Sequence, residues 1–292
     1  MILYNLEQAM TLREALNDGG RFLREAGMES YALDAALLLA KILHTDRTRL
    51  LINAENRLDK RDYEDYLGLL SRRANHACVA YITNSKAFRF LELYVDENVL
   101  VPRPDTETLV EAVITRIDEL KGMKDEINVL DMCTGSGAAA LSLKYERPFI
   151  NMFASDISAV ALSIAKKNAT KYQLQNDVCF IQSDVFENIP RSFDIILANA
   201  PYIPRGLLKT LPAEVLNEPA IALDGGENGL EIIRRIIAGA GAHLLRDGGV
   251  FLEAAPEQMA EIGCMFAGAS FCRISVERDL SGAERVISAI FQ

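Results

Sequence analysis

The spacing of apolar residues along the chain changes near residue 80. Before that point, apolar side chains recur every three or four positions, which is typical of amphipathic helices. Thr11 and Glu14 form a capping-box pattern at the start of the first helical stretch, and Gly27 stops it. The pattern predicts three helices, at residues 11–26, 30–43 and 59–74. Because no strand pattern interrupts them, we predict a small helical domain over residues 1–80.

From residue 81 onward the pattern becomes that of strands. Residues 81–83 and 91–95 flank a polar segment and predict a hairpin or linker over residues 81–100. Beyond it, seven apolar runs are predicted as strands, at residues 127–132, 151–155, 178–182, 193–198, 249–253, 271–277 and 285–291. Helical stretches between the first five indicate an α/β domain over residues 101–292, with a mostly parallel seven-stranded sheet covered on both faces. The last two strands lack an intervening helix and are predicted to form an antiparallel hairpin at the edge.

One strand end carries an unusual set of polar and aromatic groups. The apolar run at residues 193–198 ends abruptly in Asn199, Ala200, Pro201 and Tyr202. These residues offer an amide side chain, a backbone carbonyl before a proline and an aromatic ring. The set suits a planar NH2 group, because two acceptors meet its two hydrogens and the ring stacks on its plane. Asparagine and proline are also common in ordinary turns, so the motif alone leaves both interpretations open.

A second strand end, at residues 127–132, runs through a glycine loop into a predicted helix. Gly135 and Gly137 allow a ligand to approach the backbone closely, and the helix N-terminus offers free NH groups. Asp156 lies about 20 residues after the loop, the spacing at which a carboxylate meets a ribose hydroxyl. With Ala140, these residues also satisfy the GxGxxA fingerprint of dinucleotide-binding proteins. The loop therefore predicts a Rossmann-like nucleotide site without identifying the cofactor.

Two acidic residues favour S-adenosylmethionine over NAD. Asp131 lies just before the glycine loop, where a carboxylate repels a pyrophosphate and attracts a cationic group such as the amino group of a methionyl moiety. Asp184 follows the third predicted strand and can accept a hydrogen bond from an adenine amino group, with Val185 or Phe186 covering the ring. We therefore predict S-adenosyl-L-methionine as the cofactor and S-adenosyl-L-homocysteine as the product.

Composition and charge restrict the class of partner. The chain has 292 residues, of which 50% are apolar and 25% charged, which is typical of a globular protein with two domains. Its net charge of −10 argues against nucleic acid as the substrate, because phosphate binding requires clustered Lys and Arg. Five scattered cysteines and three distant histidines argue against disulfides and metal sites. Since neither a signal sequence nor a long apolar run occurs, we expect a cytoplasmic protein without a membrane partner.

Several segments together resemble the HemK/PrmC family, the N5-glutamine methyltransferases of peptide chain release factors. These segments are VPRPDTE at residues 101–107, EPAIALDGGENGL at residues 218–230 and DLSGAERV at residues 279–286. They accompany the glycine loop, the carboxylates described above and the NAPY tetrapeptide at residues 199–202. With the helical N-terminal domain, the resemblance covers nearly the whole chain.

The resemblance implies a class I methyltransferase that moves a methyl group from S-adenosylmethionine to a glutamine nitrogen in the Gly-Gly-Gln loop of release factors. It implies that the helical domain helps to dock the release factor, and that residues 199–202 hold the glutamine. By similarity, the cofactor site is lined by Cys133, Thr134, Gly135, Ser136, Gly137, Asp156 and Val185. Asp131, Ile157, Asp184 and Asn199 complete the cofactor set that we predict.

The predicted catalytic residues suit methyl transfer to an amide. An amide nitrogen is a poor nucleophile because its lone pair is delocalised, so no simple general base explains the reaction. If the Asn199 side-chain oxygen and the Ala200 carbonyl accept its two hydrogens, the lone pair is fixed toward the methyl group. Tyr202 is then expected to cover the amide plane.

The chain departs from the family pattern at several positions. The tetrapeptide is usually Asn-Pro-Pro-Tyr, and Ala200 keeps the carbonyl acceptor while losing rigidity, although Pro201 still biases it toward extended conformations. Cys133 stands where the loop usually begins with glycine. Its side chain predicts a residue that avoids positive φ and serves as a small buried apolar group rather than a redox group. Residues 78–84 lack the usual Pro and Gly, and residues 252–255 read LEAA instead of LEIG.

The sequence allows more than one role for Arg103 and more than one substrate. Arg103 lies between two prolines and either contacts the cofactor carboxylate or a partner backbone, or forms an ion pair with Asp105 or Glu107. Alternatives to a release factor methyltransferase are an enzyme for another amide or amine and a non-catalytic S-adenosylmethionine-binding protein. The acidic charge disfavours a nucleic-acid adenine methyltransferase, and an NAD-dependent oxidoreductase has no use for the NAPY motif.

Overall fold

The computed structural model describes residues 10–292, which fall into two compact units. Among the described residues, the N-terminal unit contains residues 10–84 together with Ala213–Asn217, and the second unit contains Ser85–Pro212 and Glu218–Gln292. The N-terminal unit is therefore discontinuous, because a short segment from far downstream belongs to it.

The part of the chain between residues 10 and 84 is almost entirely helical. Its helices are α1 (Leu12–Glu25), α2 (Tyr31–Ile42), α3 (Arg47–Ile52), α4 (Lys60–Ala74) and α5 (Val79–Thr83). The predicted capping box of α1 is present, with the Glu14 carboxylate 2.8 Å from the Thr11 amide and the Thr11 hydroxyl 3.2 Å from the Glu14 amide. Residues 81–83 were predicted as a strand, and this is wrong because they form α5. An apolar run this short does not separate helix from strand by its periodicity.

The second unit begins with an antiparallel hairpin and continues as an α/β domain. The hairpin consists of β1 (Lys86–Phe88) and β2 (Leu91–Leu93). The strands of the main sheet are β3 (Asn128–Met132), β4 (Asn151–Asp156), β5 (Val178–Gln182), β6 (Phe193–Ala198), β7 (Leu244–Glu253), β8 (Phe271–Arg278) and β9 (Glu284–Phe291). The α-helices of this unit are α6 (Thr106–Lys121), α7 (Ala138–Glu146), α8 (Ala159–Lys171), α10 (Glu231–His243) and α11 (Met259–Gly268), whereas α9 (Ala213–Leu216) belongs to the N-terminal unit. Short 3₁₀ helices lie at Arg205–Thr210, Ala220–Ala222 and Pro256–Gln258.

The seven strands of the main sheet follow the order β5-β4-β3-β6-β7-β9-β8. All neighbouring pairs from β5 to β7 are parallel, whereas β9 runs antiparallel to β7 and to β8. The predicted seven-stranded sheet with an antiparallel edge hairpin is confirmed. The helix expected between β5 and β6 is not found in residues 183–192, because this connection is too short for a helix and its two loops.

The strand order positions the site. The chain proceeds outward from β3 to β5, then returns to place β6 on the other side of β3. Ligands of such sheets bind in the crevice outside the carboxyl ends of the strands at this reversal. Asp131, Asp156 and Asn199 lie at the carboxyl ends of β3, β4 and β6. Two apolar clusters cover the opposite faces of the sheet, one against α6 and α7 and the other against α10 and α11.

Helix α9 belongs to the N-terminal unit, where it meets a buried arginine. Arg73 of α4 is only 3% exposed and bonds the Asp34 carboxylate at 2.7 Å and the Glu214 carboxylate at 2.6 Å. A buried guanidinium is tolerated when carboxylates pair with it, and here the second carboxylate comes from α9.

No helix within residues 10–292 combines the length and the apolar character needed to span a membrane.

Candidate active site

A cavity of about 400 Å³ opens in the second unit at the carboxyl ends of the parallel strands. Its size is that of small-molecule sites in proteins. The predicted site residues that line it are Arg103, Asp131, Cys133, Thr134, Gly135, Ser136, Asp156, Ile157, Asp184, Val185, Asn199 and Pro201. Gly137 does not line the cavity, and it caps the N-terminus of α7 instead with φ of 83°.

Asp131 is a buried carboxylate at the edge of this cavity. Its Oδ2 atom accepts hydrogen bonds from the Thr134 hydroxyl at 2.6 Å and from the Ala140 amide at 3.1 Å. Burial nevertheless raises the pKa of Asp131 to about 7, because desolvation outweighs both hydrogen bonds. A cationic ligand group beside it would stabilise the ionised form, so the residue is suited to hold an ammonium group.

Asp156 joins the end of β4 to the glycine loop. Its Oδ2 atom accepts a hydrogen bond from the Gly135 amide, and its Oδ1 atom accepts one from the Ser158 amide, both at 2.9 Å. Burial raises the pKa of Asp156, and these backbone hydrogen bonds lower it again in part. A carboxylate with its backbone side satisfied keeps further lone pairs for a ligand hydroxyl.

Two residues on the cavity wall adopt left-handed backbone conformations. Cys133 has φ of 58° and Val185 has φ of 49°. The expectation that Cys133 avoids positive φ is wrong, because the turn that leads β3 into the glycine loop requires a left-handed residue at this position. Strained conformations of this kind persist where the surrounding structure enforces them, and they concentrate at functional sites. Burial also raises the pKa of the Cys133 thiol, which keeps it neutral.

We expect the left-handed conformation of Cys133 to reverse the usual ranking of alanine and glycine. Cys133→Gly should have a free energy of unfolding about 1 kcal/mol higher than Cys133→Ala, because a Cβ is unfavourable at positive φ. At Cys179, which is exposed on strand β5, the alanine variant should be the more stable of the pair. Urea denaturation of the four variants measures both differences, and a more stable Cys133→Ala would contradict the interpretation.

Asp184 has a partner that the sequence did not indicate. Its Oδ2 atom lies 2.9 Å from the Arg235 guanidinium of α10, and both residues line the cavity. The ion pair holds this carboxylate on the wall of the cavity beside Val185. The predicted hydrogen bond from an adenine amino group to Asp184 stays a prediction.

The NAPY residues occupy different environments. Asn199 and Pro201 line the cavity, whereas Ala200 is 1% exposed and belongs to the apolar cluster under α10. The Asn199 Nδ2 atom donates a hydrogen bond to the Thr106 hydroxyl at 3.0 Å. The Tyr202 hydroxyl lies 3.5 Å from the Glu253 carboxylate, and burial raises the pKa of Tyr202 to about 12.

The loop of residues 224–229 (DGGENG) packs against the backbone of the NAPY motif. A Cβ atom at Gly225 would lie 2.7 Å from the Pro201 carbonyl oxygen, and one at Gly229 would lie 2.3 Å from the Tyr202 carbonyl oxygen. The Gln258 side chain also donates to the Tyr202 carbonyl at 2.9 Å. Glycine is needed at both positions because any side chain would displace the motif.

Arg103 forms an ion pair with Glu218, the first residue of the EPAIALDGG segment. Neither carboxylate named from the sequence, Asp105 or Glu107, is its partner, because the neighbour in space comes from a distant segment. Glu218 also accepts a hydrogen bond from the Val101 amide at 3.1 Å. This carboxylate therefore ties the VPRPDTE segment to the loop that supports the NAPY motif.

The DLSGAERV segment at residues 279–286 contacts the VPRPDTE segment. Arg285 of the DLSGAERV segment lies 3.4 Å from the Asp105 carboxylate and 3.2 Å from the Asp279 carboxylate. No role was predicted for Thr106, Glu218, Glu253 or Arg285, although all four lie in segments that were compared with the family pattern. Their presence in those segments was the available signal.

Within residues 10–292, no group of three or more His, Cys, Asp or Glu side chains is placed to hold a metal ion.

The sheet order, the glycine loop and the carboxylates that end β3 and β4 define a Rossmann-like methyltransferase fold. The hMettl16 catalytic domain, solved in complex with the MAT2A 3′UTR hairpin 6, shares this fold with a TM-score of 0.57 at 15% identity, over 77% of this chain and 82% of that chain. Residues 14–83 match the PrmC N-terminal domain, and residues 106–214 match the methyltransferase small domain.

Two relatives align over most of their length. The release factor glutamine methyltransferase of Leptospira interrogans is 37% identical over 276 residues, which is 93% of this chain and 95% of the relative. The protein of the same name from Moorella thermoacetica is 40% identical over 242 residues, which is 82% of this chain and 84% of the relative. The chain belongs to the release factor glutamine methyltransferase family, and the resemblance read from its motifs is confirmed.

Proposed function

We propose that this protein transfers a methyl group from S-adenosylmethionine to the side-chain amide nitrogen of a glutamine in the Gly-Gly-Gln loop of a peptide chain release factor. The observation that carries the proposal is the orientation of Asn199. Its NH2 group is bound to Thr106, so its oxygen is left to accept a hydrogen bond at the cavity wall. The names of the relatives support the choice of substrate.

The residues of the cavity fit the proposed cofactor. Asp131 offers a buried carboxylate to an ammonium group, and Asp156 offers lone pairs to ribose hydroxyls. Ile157 and Ile236 provide apolar wall on which an adenine ring can pack. When bound there, S-adenosylmethionine supplies an electrophilic methyl group on a positively charged sulfur.

The NAPY motif positions the substrate amide. We expect the Asn199 oxygen and the Ala200 carbonyl to accept the two hydrogens of the glutamine NH2 group. This contact turns the nitrogen lone pair toward the methyl donor, and orientation of this kind can lower a barrier by several kcal/mol. Tyr202 is expected to limit movement of the amide plane.

The proposal is tested by incubating the protein with isotope-labelled S-adenosylmethionine and purified release factor, then locating the methyl group by mass spectrometry. A label on the Gly-Gly-Gln glutamine is expected. A release factor with that glutamine replaced by alanine is the matched control and should stay unlabelled. Cofactor binding without any transfer to the loop would overturn the proposal.

A methyltransferase for another amide or amine is the second candidate. Ala200 stands at a position where the family usually has proline, and residues 252–255 also differ from the family pattern. A label on another residue of the release factor, or on another protein in the same assay, would favour this candidate.

We also propose that the helical unit helps to dock the release factor and that the protein acts in the cytoplasm.

Replacing Ala200 with proline tests how the motif depends on rigidity. We expect Ala200→Pro to keep or raise kcat, because proline would restrict the backbone that carries the carbonyl acceptor. Initial rates at saturating cofactor measure the effect. A clear fall in kcat, with unchanged thermal stability, would show that this protein requires alanine at the position.

A further inference from the structure

Glu253 is a buried acidic residue beside the NAPY motif, and the proposed function assigns it no role. Glu253 ends strand β7 and is 1% exposed. Its Oε1 atom lies 3.5 Å from the Tyr202 hydroxyl. Its Oε2 atom is buried and accepts no hydrogen bond from the described residues. A buried carboxylate oxygen without a partner is costly, so its retention beside the motif calls for a functional explanation.

The Thr106 hydroxyl links Glu253 to Asn199. It accepts the hydrogen bond from the Asn199 Nδ2 atom at 3.0 Å. The same hydroxyl also interacts with the Glu253 carboxylate and lowers its pKa, although burial raises that pKa more strongly. Thr106 is itself buried, with 5% of its surface exposed, so solvent offers little competition.

Hydrogen-bond direction along this series is determined by the carboxylate. An ionised carboxylate can only accept, and the buried Oε2 atom of Glu253 has no donor in hydrogen-bond geometry, so the Thr106 hydroxyl is expected to turn its single hydrogen toward Glu253. The Thr106 oxygen then presents only lone pairs to Asn199, so Asn199 must donate a hydrogen bond from its NH2 group. The Asn199 oxygen consequently faces the cavity, where it can accept a hydrogen from a substrate amide.

We propose that Glu253 is a positioning residue that acts through Thr106 to keep the Asn199 oxygen directed toward the substrate amide. The inference rests on the proposed role of Asn199 in holding that amide. Without an ionised Glu253, the Thr106 hydroxyl is free to donate to the Asn199 oxygen. The side-chain amide then turns over, and a donor replaces the acceptor at the cavity wall.

The charged groups around Glu253 determine when this arrangement holds. Burial raises the pKa of Glu253 to about 7, while Thr106, Arg285 and Tyr202 lower it and Asp105 raises it. The carboxylate therefore changes its protonation near neutral pH. The protonated form can donate to Thr106, so the fixed direction is present above the pKa and is lost as the pH falls through it.

Isosteric variants test the proposal in the full-length protein with purified release factor. Glu253→Gln and Thr106→Val should each lower kcat about tenfold or more while leaving the Kd for S-adenosylmethionine unchanged. The double variant should lose little more than either single variant, because both break the same series. Thr106→Ser keeps the hydroxyl and should restore most of the rate.

The matched control is Ser142→Ala. Ser142 is also buried, with a hydroxyl oxygen that has no partner among the described residues, but it lies in helix α7 outside the cavity. We expect its kcat to match that of the wild type. A wild-type kcat in Glu253→Gln, or independent losses in the double variant, would overturn the proposal.

The pH dependence of kcat gives a readout that a purely structural role would not change. At saturating cofactor, kcat of the wild type should fall as the pH drops below about 7, by up to tenfold per pH unit. In Glu253→Gln this fall should disappear. An unchanged pH profile in the variant would mean that another group titrates.

A structural readout separates failure of this inference from failure of the proposed function. The Asn199 side-chain NH2 signals in a ¹⁵N NMR spectrum are assigned by their loss in Asn199→Ala. They should be protected from hydrogen exchange in the wild type and lose protection in Thr106→Val and Glu253→Gln. If the wild type methylates no release factor, the proposed function fails while this comparison still decides the orientation of Asn199. Equal protection in all three proteins would overturn the inference even in an active enzyme.

Discussion

Asn199→Ala should strongly reduce methyl transfer and leave cofactor binding nearly intact. The substitution removes the acceptor that we propose for the substrate NH2 group, while Asp131 and Asp156 stay in place for the cofactor. Loss of one oriented hydrogen-bonding group at a reacting centre typically costs two to three orders of magnitude in rate. We therefore expect kcat to fall by about 10³-fold, which corresponds to about 4 kcal/mol in activation free energy.

Single-turnover assays and calorimetric titration with S-adenosylmethionine measure the two effects separately. Asn176→Ala is a suitable control, because Asn176 is an exposed asparagine in the turn before β5 and does not line the cavity. It should retain the wild-type rate. Parallel loss of binding and transfer in Asn199→Ala would place Asn199 in the cofactor site instead.

Asp131→Asn should weaken cofactor binding about 30- to 100-fold, which corresponds to about 2–3 kcal/mol. Asparagine keeps an acceptor oxygen for the Thr134 hydroxyl and the Ala140 amide, so the glycine loop should keep its conformation. The lost interaction is the attraction between a buried negative charge and the cationic amino group of the methionyl moiety. The exposed pair Asp118–Arg147 provides a matched control, and Asp118→Asn should bind as the wild type does.

Cofactor affinity of the wild type should also depend on pH. Because the pKa of Asp131 is about 7 and a cationic ligand favours its ionised form, affinity should rise about fivefold between pH 6 and pH 7. Above about pH 8 the gain should reverse, since an α-amino group then loses its proton. Calorimetry across this range should show a much weaker rise between pH 6 and pH 7 in Asp131→Asn. A full wild-type rise in that variant would show that a different group titrates.

Strands were predicted close to their observed limits where an apolar run fills the strand, whereas the start of β7 at Leu244 was missed because Arg246, Asp247 and Gly248 interrupt the run. Residues 178–182 and 193–198 were identified with their observed limits, since Phe193–Ala198 is buried throughout and ends at a polar residue. The run at residues 81–83 was misassigned because three residues carry no usable periodicity. Helix α6 (Thr106–Lys121) was not predicted, because it begins inside the proline-containing VPRPDTE segment, whose own residues show no helical pattern.

The candidate site was predicted in part, for a physical reason. Residues of the glycine loop reveal themselves locally, because a strand, two glycines and a helix follow one another in sequence. The contacts that orient Asn199 are of another kind. Thr106 is 93 positions from Asn199, and Glu253 comes from a third segment, so only the folded sheet brings them together. The backbone strain at Cys133 was also missed, since a turn requirement overrode the preference of the side chain.

Helix α9 limits where this protein can be divided. A fragment ending at Asn84 would contain α1–α5 but not the segment Ala213–Asn217, so Arg73 would keep Asp34 and lose Glu214. The same cut would remove the hydrogen bond from the Asn217 side-chain NH2 group to the His76 carbonyl, which measures 3.0 Å. A continuous fragment of the helical unit therefore lacks one of its segments and the two contacts that this segment makes. A circular permutant or a fragment with α9 fused after residue 84 would be needed to study it alone.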